Sequence, residues 1–103
     1  MRFLLEVRIP LNEGNEGLLS GILLKQMNTY LVEVKPESIY FGVKDGQRTV
    51  FLVVNIDSPD MIPEILEPLW LDLKADVFIT PVMNAEDFEK ASLRIEKIVR
   101  KRQ

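Results

Sequence analysis

From Phe3 to Ile9 the chain alternates, with Phe3, Leu5, Val7 and Ile9 on one side, Leu4, Glu6 and Arg8 on the other, and Pro10 ending the run. A period of two predicts a strand with one face in a core. "PLNEGNEG" then reads as a turn, after which Leu19, Ile22, Leu23, Met27, Tyr30, Leu31 and Val34 fall at helical spacing until Pro36 closes the segment. Two further alternating runs flank Asp45-Gly46, a pair that favours the positive φ values of a two-residue hairpin turn.

A turn at Asp45-Gly46 fixes a register that the hydrophobic pattern can check. Partners then have numbers summing to 91, so Val43 faces Arg48, Phe41 faces Val50, Tyr40 faces Phe51 and Ile39 faces Leu52. One side of the hairpin becomes Ile39, Phe41, Val50, Leu52 and Val54, and the other Ser38, Tyr40, Phe51, Val53 and Asn55. The first is oily and the second mixed, so turn chemistry and patterning agree.

"SPDMIPEILEPLW" predicts a second helix, short or kinked because Pro68 has no N–H to donate and crowds the carbonyl four residues back. "ADVFITPVM", residues 75–83, predicts a fourth strand with Ala75, Val77, Ile79 and Met83 on an apolar side, and Asp76, Phe78, Thr80 and Val82 on a mixed one. The closing segment predicts a helix capped by Asn84, with acids in its first turn, Phe88, Ala91, Ile95, Ile98 and Val99 on one face and bases at its end.

The order strand, helix, strand, strand, helix, strand, with right-handed crossovers, points to an α+β, ferredoxin-like β-α-β-β-α-β subunit. Four antiparallel strands would carry both helices on the apolar face, and the last helix is an addition. Residues 1–103 then form one domain, as suits the length. The mixed face remains. Left bare, Leu4, Tyr40, Phe51, Val53, Phe78 and Val82 would make an apolar patch larger than monomers usually show. A second copy packed sheet to sheet around a two-fold axis would cover it and close a barrel with a partly wet interior. The expected partner is therefore the chain itself.

Composition narrows the chemistry. Apolar residues make up 47% and charged residues 28%, ordinary for a globular protein. The net charge of −3 gives no general reason to expect nucleic acid, and no apolar stretch has the length of a membrane span. There is no cysteine and no histidine, which removes the thiolate nucleophile, the usual zinc sites and the commonest general base. No metal or organic cofactor is expected, and the cytoplasm is the expected compartment.

The early "FLLEVRIP", together with "FLVVNIDSPDMIPEILEPLWLDLKADVFITPV", resembles the dimeric α+β barrel superfamily. In pattern it is closest to the muconolactone isomerase-like branch, or to an uncharacterised bacterial relative of that branch. The shared features are an early strand ending in proline, a strand ending in aspartate before a short helix, and a last strand ending in "TPV". The resemblance implies a homodimer. It carries over no active site, because "PESIYFGVKDGQRT" has no match to that branch's polar segment and the histidine used by many members is absent.

Candidate chemistry therefore rests on the mixed face. Glu6 and Asp76 are the candidate catalytic residues, either acting as a general base with a pKa raised by partial burial, and Arg8 would anchor an anion. The plainer reading makes the three an ion-paired trio at a dimer interface. Tyr40, Phe51 and Phe78 would either clamp a planar ligand or simply pack, with Asn55 and Thr80 completing a ligand-binding wall. Trp70 is expected to anchor the core or the interface, or else to form a pocket lip. "EGNEGLLSG" has the glycine spacing of no phosphate loop and is assigned to turn chemistry. Residues 94–103 carry +4 against −7 for the remainder, read as a solvated helix end rather than a nucleic-acid patch. The expected function is the binding of a small, partly apolar molecule between two sheets. A cofactor-independent isomerase or cyclase with a carboxylate base, and a purely structural dimerisation module, are the alternatives.

Overall fold

Pro10 ends the first strand and, with φ −59° and ψ 144°, starts a helix where the sequence suggested a turn. In the computed structural model, which describes residues 1–103, β1 (Arg2–Ile9) leads directly into α1 (Leu11–Ser20). Gly21 then takes a left-handed conformation, φ 83°, and separates α1 from α2 (Ile22–Val34). The reason lies in packing. A Cβ on Gly14 would sit 2.8 Å from Arg48 Nη1 and 3.1 Å from Ile9 Cγ2, and one on Gly17 would sit 2.9 Å from Leu23 Cβ. These glycines serve close approach within a helix, which outweighs their weak helix propensity.

The hairpin follows as β2 (Ser38–Lys44) and β3 (Gln47–Asn55). Asp45 and Gly46 both have positive φ, 52° and 77°, as a primed two-residue turn requires. Its register pairs Val43 with Arg48, Phe41 with Val50, Tyr40 with Phe51 and Ile39 with Leu52, as the turn predicted. A 3-10 turn (Pro59–Met61) opens α3 (Ile62–Leu71), a short helix that holds Pro68 within its last turn. β4 (Asp76–Pro81) returns antiparallel to β1, and α4 (Ala85–Arg100) ends the chain.

The sheet order β2-β3-β1-β4, all antiparallel, is that of the ferredoxin-like α+β fold. Leu5, Val7, Leu52 and Val54 lie almost fully buried at its centre, beneath Leu23, Met27 and Tyr30 of α2 and Ile65, Leu66 and Leu69 of α3. Tyr30 ties these helices together by donating its hydroxyl to the Ile65 carbonyl at 2.7 Å, and its burial pushes the phenol pKa up. Cover fails at the edges. Phe41 and Val43 on β2 and Ile79 on β4 belong to the apolar side, yet each is exposed because the helices sit over the middle strands. Trp70 is also exposed at the surface of α3 and does not anchor the core of this chain. No helix is long and apolar enough to cross a membrane.

α4 does not pack on its own body. It has no buried residue, and the molecule reaches 61 Å along its longest axis. An apolar stripe of this kind is expected to pack on the same chain or across a dimer, and the first of these does not occur. What fixes the helix is its start: Asn84 Oδ1 accepts from Asp87 N at 2.8 Å, and Asp87 Oδ2 accepts from Asn84 N at 3.1 Å. Arg2 Nη1 reaches the same Asp87 oxygen at 2.7 Å. The Asn84 backbone N–H first, and the Arg2 guanidinium after it, hold the Asp87 carboxyl below its ordinary pKa against the opposing effect of burial.

Candidate ligand-binding face

Strand pairing assembles a single rung from residues far apart in sequence. Tyr40 pairs with Phe51, Phe51 with Glu6, and Glu6 with Phe78, so one line across all four strands reads Tyr40, Phe51, Glu6, Phe78 on the side away from the helices. The next rung towards the hairpin turn reads Gly42, Thr49, Arg8, Asp76. Lacking a side chain, Gly42 leaves space beside Phe51, whose Cε2 would be 4.0 Å from a Cβ built there. On the other side lies a rung of Ser38, Val53, Leu4 and Thr80, and beyond it Asn55 pairs with Arg2.

Glu6 is the hub of the polar contacts. Its Oε2 accepts from Arg8 Nε at 2.6 Å and its Oε1 from Lys44 Nζ at 2.8 Å. Arg8 Nη2 also meets Asp45 Oδ2 at 3.3 Å, and the guanidinium carbon lies 4.7 Å from the centre of the Phe78 ring. Two carboxylates and an aromatic face thus fix the guanidinium plane, while Nη1 has no protein partner.

These contacts correct the expected electrostatics. The Lys44 ammonium above all, helped by Arg8, pulls the Glu6 carboxyl below its ordinary pKa, although burial acts in the opposite direction. A raised pKa was expected from burial alone; two cations outweigh it. Asp76 stands opposite Arg8 in register but is exposed and has no ion-pair partner, so in place of the expected trio the structure has a cluster of four, Glu6, Arg8, Lys44 and Asp45. Neither Lys44 nor Asp45 was a site candidate from the sequence, where Asp45 served only as a turn residue. The hairpin register carried the signal for Lys44, since it places that residue on the same side as Tyr40.

The structure gathers Glu6, Arg8, Tyr40, Phe51 and Phe78 and separates two others from them. Thr80 lies one rung away, and Asn55 is at the sheet's end, where its Oδ1 accepts from the Met1 amino group at 2.8 Å. Phe78 is 49% exposed and Tyr40 71%, whereas Phe51 is half-buried between its neighbours. The face offers an aromatic floor with an immobilised cation beside it. Such a face can stack a flat molecule and donate hydrogen bonds to its polar edge.

No family model and no curated protein matches the chain. Among solved structures, similarity extends to 5-chloro-2-hydroxyhydroquinone dehydrochlorinase from Burkholderia phenoliruptrix, in complex with 2,5-dihydroxybenzoquinone. The two share a TM-score of 0.61 and 13% identity, over 84% of this chain and 97% of that one. The chain shares that enzyme's fold. This likeness supports the ferredoxin-like α+β architecture and does not single out the muconolactone isomerase-like branch. A de novo designed protein, Ferredog-Diesel, overlaps at a TM-score of 0.45 with 14% identity, over 79% of this chain and 85% of that one.

Proposed function

We propose that the chain forms a homodimer in which two sheets close face to face over the aromatic rung, and that the enclosed space binds a small, planar, partly apolar anion. One observation carries the reading: Tyr40, Phe51 and Phe78 share a rung with Glu6, next to an Arg8 guanidinium held on the Phe78 ring. A second sheet would cover the exposed rings, and the charged cluster would become the polar wall of the interior. The fold neighbour's complex with a planar hydroxyquinone gives the first probe.

Binding is favoured over catalysis by Glu6. A carboxylate engaged at both oxygens and held below its ordinary pKa is a weak proton acceptor at neutral pH. Asp76 keeps an isomerase or cyclase of the muconolactone isomerase-like kind as a second reading, because it is the carboxylate beside Arg8 that no cation occupies.

Calorimetric titration tests the proposal with 2,5-dihydroxybenzoquinone and small hydroxylated aryl acids. The expected result is saturable binding by the wild-type protein, with Arg8→Gln weakening it by about 10-fold or more, as loss of a hydrogen bond to a charged group predicts. Equal binding by Arg8→Gln would refute the anchor. No binding across the panel by a confirmed dimer would leave a structural dimerisation module as the function. Turnover of a cyclic lactone, lost in Asp76→Asn, would promote the second reading.

A further inference from the structure

We infer that α4 is a pairing arm, packing antiparallel against α4 of a second copy of this chain. The helix stands clear of its own domain, with Phe88 53%, Ile95 45%, Ile98 51% and Val99 48% exposed. The radius of gyration is 17.2 Å, against about 13 Å for a compact chain of this length. Yet α4 is not built as a frayed tail. It spans sixteen residues, starts with a complete capping box and ends in cations that suit a helix C-terminus.

Its apolar residues specify the kind of partner. Phe88, Ala91, Ile95 and Ile98 recur at spacings of three, four and three. With Val99 widening it only at the C-terminal end, this is closer to the seam of a two-helix coiled coil than to the broad stripe of a helix laid on a sheet. Charge then fixes the direction. Glu86, Asp87 and Glu89 gather at the start, and Lys97, Arg100, Lys101 and Arg102 at the end. Parallel helices would set like charges side by side, whereas antiparallel ones oppose each acidic start to a basic end. Such a contact is self-complementary about a two-fold axis, as an isologous interface must be. The other usual home for an amphipathic basic helix is an anionic membrane, but the chain outside residues 94–103 carries −7 and would be repelled from it. The contact is separate from the sheet-to-sheet dimer and does not rest on it.

The absence of cysteine makes single-thiol cross-linking a clean test. Ser92 lies at the middle of α4, beside the seam, so in an antiparallel pair it faces its own counterpart. Full-length Ser92→Cys protein treated with a short bis-maleimide should form a covalent dimer. Glu86→Cys should not link to itself, but should link to Lys101→Cys when the two variants are mixed. Adding Ile95→Glu to Ser92→Cys should abolish the product while circular dichroism shows the sheet domain still folded. Self-linking of Glu86→Cys as efficient as that of Ser92→Cys would overturn the antiparallel arrangement. Failure of Ser92→Cys to link would overturn pairing itself. So would wild-type protein that sediments with phosphatidylserine and phosphatidylcholine vesicles through Ile95.

Discussion

Replacing Phe78 with arginine probes the proposed sheet-to-sheet contact at an exposed ring on β4, beside the Arg8 guanidinium. With about 200 Å² per aromatic side chain, exposures of 49% and 71% leave about 100 Å² of Phe78 and about 140 Å² of Tyr40 to be covered in each subunit. Over two subunits, at about 25 cal/mol per Å², those rings contribute about 12 kcal/mol gross. The half-buried Leu4, Phe51, Val53 and Val82, at about 30 Å² each, add about 6 kcal/mol. Association and side-chain ordering oppose this by about 4 to 15 kcal/mol. The remainder centres near 8 kcal/mol, a dissociation constant in the micromolar range. Phe78→Arg forfeits about 5 kcal/mol of the gross term. It also sets a second cation where the Arg8 guanidinium now lies 4.7 Å from the ring. Together these push dissociation to about millimolar or weaker. The assay is sedimentation at micromolar concentration in the Ile95→Glu background, so that α4 does not hold the copies together. Ile95→Glu protein should dimerise and Ile95→Glu/Phe78→Arg protein should not. Lys25→Glu is the charge control, since Lys44 is bonded to Glu6 and is not inert. A folded double variant that stays dimeric, or an Ile95→Glu protein that is already monomeric, would refute the reasoning.

Gly17→Ala tests why α1 is a helix at all: the added methyl would lie 2.9 Å from Leu23 Cβ. Overpacking by about 1 to 3 kcal/mol should outweigh the roughly 1 kcal/mol gain in propensity and lower the urea midpoint; a raised midpoint would show that α2 yields freely. Acid should destabilise through Glu6 and Asp87, whose folded pKa values are both depressed. A depressed carboxyl adds stability above the ordinary carboxylate range and loses it as pH falls through that range towards the folded value. Glu6→Gln and Asp87→Asn should each flatten the fall in melting temperature below that range, and unchanged slopes would exclude these two groups as its cause.

What the sequence shows and what it hides divide along local and tertiary causes. The β2-β3 hairpin was legible because two independent local signals, turn chemistry and parity of apolar positions, can agree only in one register. Pairing β1 with that hairpin and with β4 then brings Tyr40, Phe51, Glu6 and Phe78 onto one side by strand parity, but only the folded register sets them on one rung. α1 was not legible. "LNEGNEG" has too few apolar positions to show a period, and its glycines read as a turn until Arg48, Ile9 and Leu23 are seen to occupy the space their side chains would need. The state of Glu6 was hidden for a similar reason. Sequence places Arg8 two residues away on the same face, but only the folded hairpin brings Lys44 Nζ to the second carboxylate oxygen. The Lys44 contact weakens Glu6 as a base, while the other Glu6 oxygen holds Arg8, the proposed anion anchor. Catalysis by Glu6 and binding by Arg8 thus pull in opposite directions, and a ligand that displaced Lys44 would raise the basicity of Glu6 while it bound. On this face a carboxylate base must either be Asp76 or be released by the substrate itself, which is why the proposed binding role asks less of the site than catalysis does.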